Sequence, residues 1–305
     1  MKRIIFLLFS IILFIGLSAE NTVKNMVYAK RDTCNLTMDV YTPLDIKSSR
    51  PCLVFVFGGG FKTGSKNNIF NVNFLKAMAD SGFVVAAIDY RLGMKGIKLK
   101  KSNKVQTITR AINMAVEDLF SATGFLLNHT RELKIDSSKI ILCGSSAGAI
   151  TVLQADFDLT NRSQIASGIP LNFHYAGVIA FAGGILSYNG APKYNKPPSP
   201  TMFFHGTKDK LVPYNQIKLL HIGFYGTNAL VKQFEKKNYP YFAYRYRDIG
   251  HEIAAVPMKY NLSDINMFIR EYVFCNQKLK KDISVKNPDL KPLFFGNWKL
   301  KDLYK

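Results

Sequence analysis

Ser146 sits at the centre of Gly144-Ser145-Ser146-Ala147-Gly148, a G-x-S-x-G pattern. A hydroxyl presented on a sharp turn between small residues is a candidate nucleophile for acyl transfer. A chain of this length is expected to match the pattern by chance roughly 0.1 times, so context must decide. The pattern follows the apolar run Lys139–Cys143 and precedes the small-residue run AITVLQA. That is the strand–turn–helix setting a nucleophile elbow requires. A serine also needs a base and an orienting acid. His251, in Asp248-Ile249-Gly250-His251-Glu252, follows the strand-like run Tyr241–Tyr246. Among the other histidines, His129 reads as a helix-end residue, His174 as pre-strand, His205 as the close of the strand TMFF and His221 as part of a helix. Asp209, in His205-Gly206-Thr207-Lys208-Asp209, is the acid candidate. It would hold the imidazole in one tautomer and stabilise its cation. The chain order Ser146, Asp209, His251 suits a strand–helix alternating fold. Gly58-Gly59-Gly60 follows the buried-strand run PCLVFVF. Backbone N–H groups of Gly59, Gly60 and Ala147 are the candidate donors to a developing oxyanion.

The elements that must position these groups alternate. Leu36–Tyr41, Pro51–Phe57, Phe83–Ile88, Lys139–Cys143, Gly177–Phe181, Thr201–Phe204 and Tyr241–Tyr246 read as strands. Several are continuous apolar runs, as strands buried on both faces should be. Phe74–Ser81 and residues 107–128 read as helices. In the second, Ile112, Ala115, Val116, Leu119 and Leu126 recur at helical spacing. The alternation predicts a mostly parallel central sheet with helices on both faces. Ala155–Tyr175 and Ile185–Pro200 are the stretches able to form a small lid over an otherwise open site.

These segments together resemble α/β-hydrolase carboxylesterases, closest to feruloyl-esterase-like and hormone-sensitive-lipase-like bacterial esterases. The matching segments are FGGGFKTGS, GFVVAAIDYRL, GSSAG, FFHGTKDKLVP and GHE, from Phe57 to Glu252 in the family's order. The resemblance implies an α/β-hydrolase fold and serine carboxylesterase activity without cofactor or metal. It also implies architectural roles for Asp89-Tyr90-Arg91 and Glu117-Asp118. The family commonly has a loop-ordering His before the three glycines, where this chain has Phe57. Removal of acetyl or feruloyl groups from polysaccharide is one substrate reading, with a small ester or acylated carbohydrate as partner. Lipase or serine peptidase chemistry on the same fold, and a non-catalytic binding protein, are the alternatives.

Bulk properties bound the rest. The 305 residues are 48% hydrophobic and 20% charged, ordinary for a packed globular chain. Lys2 and Arg3, the apolar run Ile4–Ile15 and the small residues before Glu20 read as a signal peptide over residues 1–19. The run is too short to span a bilayer. A secreted or periplasmic protein is therefore expected, with no integral span after cleavage. A single catalytic domain is expected over 20–276, followed by a Lys-rich tail, 277–305, whose Leu290, Phe294, Phe295 and Trp298 call for partial docking. Net charge is +20, spread along the chain without an aromatic–basic nucleic-acid motif. Cys34, Cys52, Cys143 and Cys275 show no ligand spacing. Cys52 and Cys143 read as buried thiols, and a Cys34–Cys52 bridge stays open.

Overall fold

The computed structural model describes residues 22–44, 48–99 and 101–286. The signal-peptide reading and most of the tail lie outside them. A nine-stranded sheet organises the chain in the order β1-β2-β4-β3-β5-β6-β8-β11-β12. Its strands are β1 (Thr22–Arg31), β2 (Cys34–Thr42), β3 (Arg50–Val56), β4 (Val84–Ile88), β5 (Ile135–Ser145), β6 (Gly177–Phe181), β8 (Thr201–Gly206), β11 (Tyr241–Tyr246) and β12 (Lys280–Val285). β1 and β2 form an antiparallel hairpin that joins β4 antiparallel. From β4 to β12 every neighbouring pair is parallel. The parallel strands carry the continuous apolar runs because both their faces are covered: β4 and β6 are buried at every residue.

Among the described residues six α-helices fill the connections: α1 (Ile69–Asp80), α2 (Lys104–Asn128), α3 (Ala147–Thr160), α4 (Thr227–Lys237), α5 (Val256–Tyr260) and α6 (Leu262–Phe268). The crossover through α1 steps from β3 outward to β4. Those through α2 and α3 step the opposite way, so right-handed connections place α1 on one face and α2 and α3 on the other. α2 packs on α3, while α1 meets α5, and Asn266 of α6 donates to Ser81 beside α1. Ile112, Ala115, Val116, Leu119 and Leu126 of α2 are all buried, as their spacing predicts.

A second, three-stranded sheet, β7-β10-β9, is built from β7 (Gly184–Ser187), β9 (Gln216–Leu219) and β10 (Ile222–Gly226). His221 lies in the tight turn between β9 and β10, not in a helix as its surroundings suggested. The run Gln216–Tyr225 pairs with itself around that turn, and this local pairing overrides the helical reading. The stretch Ala155–Tyr175 is not a lid. α3 runs from the elbow back across the sheet, so the segment between α3 and β6 closes at the amino edge of β6, opposite the elbow. β12, in the segment read as tail, extends the sheet in parallel beside β11. All four cysteines are free thiols. Burial pushes the Cys52 thiol up to about 12 and the Cys143 thiol well above its ordinary value.

Candidate active site

β5 ends at Ser145 and α3 begins at Ala147, so Ser146 alone makes the turn. It holds φ 53° and ψ −116°, a left-handed conformation that L-residues with a Cβ rarely adopt. Such strain costs of order 1–3 kcal/mol and persists only where the surroundings enforce it. The surroundings here do. A Cβ at Gly144 would come within 2.3 Å of the Gly148 carbonyl oxygen, and one at Gly148 within 2.0 Å of the Val56 oxygen. Only glycines at both positions let α3 start this close to β3 and β5. Ser146 is half-buried, its N–H bonded to Phe181 O at 2.8 Å.

The structure brings Ser146, Asp209 and His251 together at the carboxyl edge. Ser146 Oγ lies 2.8 Å from His251 Nε2, and His251 Nδ1 lies 2.7 Å from Asp209 Oδ2. An ionised carboxylate only accepts, so Nδ1 carries the proton and Nε2 is left to accept the serine hydroxyl. Asp209 is enclosed, whereas the His251 ring keeps 12% of its surface exposed. Burial by itself would raise the Asp209 carboxyl. The His251 charge, with hydrogen bonds from His205 and His251, outweighs it and holds the group well below the usual carboxylate range. Asp209 Oδ1 also accepts the N–H groups of Leu211 and Val212, both at 2.9 Å.

Two residues that sequence reasoning did not single out complete this arrangement. His205, fully buried at the end of β8, places Nε2 3.1 Å from Val212 O and 3.3 Å from Asp209 Oδ2. A carbonyl only accepts, so Nε2 carries the proton, and Nδ1 accepts from the Thr227 hydroxyl at 2.8 Å. Asp209 thus meets two imidazole N–H groups on one oxygen. The i,i+4 spacing of His205 and Asp209 was visible in the chain, but a strand-ending histidine carries no signal of its direction. Ser145 is the other: its Oγ donates to Ala254 O at 2.7 Å and ties the elbow to the turn that carries His251. The acid and base loops are joined as well, Lys208 N donating to Ile249 O and Asp248 N to Thr207 Oγ1. Gly206 permits that approach, since a Cβ there would meet the Gly250 oxygen at 2.1 Å.

Gly58-Gly59-Gly60 leaves β3 directly against the elbow: a Cβ at Gly58 would lie 2.9 Å from Ser145 O and 3.1 Å from Ser146 Cβ. Gly59 and Gly60 have φ of 121° and 62°, conformations open to glycine. Phe57 occupies the place of the family's histidine, and other contacts order the loop. Its ring packs 4.6 Å from that of Tyr90, whose hydroxyl donates to Phe57 O at 3.0 Å. The N–H groups of Lys62 and Thr63 close on Gly59 O at 3.1 Å. Downstream, the buried Lys66 ammonium donates to Asp89 Oδ2 at 2.7 Å and to Thr37 Oγ1 at 3.0 Å. Asp118, fully buried, accepts from Arg31 and Arg91, which makes the Asp89–Arg91 segment and Asp118 a brace beneath the glycine loop. Among the described residues no cluster of three or more His, Cys, Asp or Glu side chains is arranged to hold a metal.

The chain is similar to known proteins over part of its length. The family model BD-FAE matches residues 38–183. Gut esterase 1 of Caenorhabditis elegans is 28% identical over 134 residues, 44% of this chain and 23% of its own length. Carboxylesterase 5A of Homo sapiens is 31% identical over 163 residues, 53% of this chain and 25% of its own. The chain therefore spans about a quarter of the length of these relatives. Among solved structures, esterase 2 of Thermogutta terrifontis superposes with a TM-score of 0.63 at 22% identity, covering 83% of this chain and 93% of that one. The same esterase phosphorylated by paraoxon gives 0.61 at 21%. Likeness at this identity carries the fold alone, a mostly parallel central sheet with helices.

Proposed function

We propose that this chain is a serine carboxylesterase of the α/β-hydrolase superfamily, a reading supported by the BD-FAE match, by carboxylesterases among its relatives and by the fold it shares with a solved esterase. The observation that carries the reading is the continuous relay from Ser146 Oγ through His251 to Asp209, at 2.8 and 2.7 Å. His251 Nε2 takes the serine proton as Oγ attacks an ester carbonyl. Negative charge develops on the carbonyl oxygen, and the backbone N–H groups of Gly59, Gly60 and Ala147 are assigned to receive it. His251 then gives the proton to the departing alcohol. Water enters, loses its proton to the same nitrogen and releases the acid. Asp209 stays ionised throughout and stabilises the imidazolium.

The segments that resemble feruloyl-esterase-like enzymes support an acyl group on carbohydrate, acetyl or feruloyl, as the natural substrate. Export belongs to the same reading, and N-terminal sequencing of the mature chain at Glu20 checks it. The catalytic assignment is tested by fluorophosphonate labelling, a reaction of the kind the paraoxon-treated relative undergoes. Ser146→Ala is expected to abolish the label and to lower turnover of nitrophenyl acetate on the order of a millionfold. A labelled, active Ser146→Ala variant removes the assignment.

A further inference from the structure

We propose that the carboxyl edge of this molecule docks on an anionic lipid surface, through the β9–β10 hairpin and the exposed Lys95, Lys98 and Lys104. The hairpin leaves large apolar side chains in water: Leu220 is 89% exposed, Leu219 67% and Ile217 60%. Every residue of β9 is exposed, so neither face of the strand packs on the core. β9 is also the outer strand of its sheet. An uncovered apolar edge is a liability that folds usually remove. Leu220 further holds φ 54° in the turn, a place where Gly or Asn is the ordinary choice. A leucine there, with its side chain in water, indicates a use for that side chain.

Topology puts this hairpin on the same edge as the triad. β9 and β10 follow Asp209, in the connection that leaves the carboxyl end of β8. Other exposed apolar groups gather on that edge: Ile69 and Phe70 open α1 after the glycine loop, and Val105 opens α2.

Charge identifies the occupant. Residues 95–104 contain Lys95, Lys98, Lys100, Lys101 and Lys104, and no Asp or Glu occurs from Tyr90 to Val116. Lys95, Lys98 and Lys104 are exposed, and none has a carboxylate partner among the described residues. The two features adjoin: Leu219 and Ile222 line one open groove of about 880 Å³ with Ser102 and Val105. Apolar side chains that enter the acyl boundary, beside lysines that stay at the headgroups, are the two signals peripheral lipid binding needs. A second copy of the chain fits poorly. A two-fold contact would set the patch against itself, lysines facing lysines, in a chain of net charge +20. Docking itself does not depend on the catalytic assignment. Its consequence does: Ser146 would face esters carried at that surface, on lipid or on lipid-linked carbohydrate.

Cosedimentation of the full chain with vesicles tests this. Binding to phosphatidylserine-containing vesicles is expected, with weak binding to pure phosphatidylcholine and loss at high salt. Leu219→Ser/Leu220→Ser and Lys95→Gln/Lys98→Gln/Lys104→Gln are each expected to weaken binding by about tenfold or more. Both should keep wild-type turnover of a water-soluble nitrophenyl ester, which also reports that they fold. Equal binding to both lipids overturns the proposal. So does binding retained in both variants, as the Ile4–Ile15 run alone would give, or a dimer that the leucine substitutions abolish. A wild-type chain that binds vesicles but turns over no ester would instead sink the esterase reading and leave the docking standing.

Discussion

Strand β8 has a buried carboxylate at each end, and the two behave oppositely. At its start, Asp156 of α3 is capped by Ser199, whose Oγ donates at 2.6 Å and whose N–H donates at 3.2 Å. Burial dominates there and pushes the Asp156 carboxyl up to about 6, against the lowering effect of those two bonds and of the His174 charge. At the other end, Asp209 is also buried but faces His251 and His205, and its carboxyl lies well below the usual range. Enclosure alone therefore does not set the state of a carboxylate. At Asp156 the Ser199 bonds and the His174 charge leave part of the desolvation uncompensated, whereas at Asp209 the His251 charge and the hydrogen bonds from both imidazoles reverse its sign. The amino edge holds a structural acid, and the carboxyl edge holds one fixed as an anion.

The comparison can be broken in three places. The largest effect is expected from Asp209→Asn, which keeps the shape but removes the charge that fixes the His251 tautomer. Turnover of nitrophenyl acetate should fall on the order of ten-thousandfold with the fold intact. A loss under tenfold would make Asp209 no more than another Asp156.

Asp156→Asn should leave activity alone and change the pH dependence of stability. The folded carboxyl titrates near 6 and the unfolded one near 3.8, so the folded state holds the proton more tightly. That contribution is fully present below 3.8 and is lost as pH rises through about 6. Relative to Asp156→Asn, the wild-type chain should lose up to about 3 kcal/mol across that window in denaturant titrations. Parallel stability profiles for the two proteins would show that Ser199 satisfies the anion fully.

The smallest effect is expected at the second imidazole. His205→Phe removes the imidazole whose Nε2–H meets Asp209 Oδ2 at 3.3 Å. Asp209 then loses a donor and holds the His251 cation more strongly. The acid limb of the kcat/KM profile should move to higher pH, with kcat lower by about tenfold. An unmoved limb would confine His205 to packing.

The nucleophile elbow and the parallel core were legible because each is local. One strand, one turn and one helix lie in consecutive residues, and continuous apolar runs declare strands buried on both faces. Asp209 and His251 were legible as loop residues after strands, and the structure joins them to Ser146 by hydrogen bonds. The side sheet was not: β7 lies far in the chain from β9 and β10, and nothing in Gly184–Ser187 announces its partner. β12 was hidden for a similar reason, since its exposed, Lys-rich edge carries little alternation of apolar and polar residues.

By itself the sequence determined which groups this protein could bring to a site: a serine between glycines, an aspartate and a histidine each behind a strand, and a glycine loop. Tertiary structure decided what those groups became. It turned His205 towards Asp209, bonded Ser145 to the turn carrying His251 and braced the Phe57 loop through Tyr90. It also left the leucines of one hairpin outside the core. Residue type and local period are written along the chain, but the direction of a side chain is fixed only when distant strands pair and close the space around it.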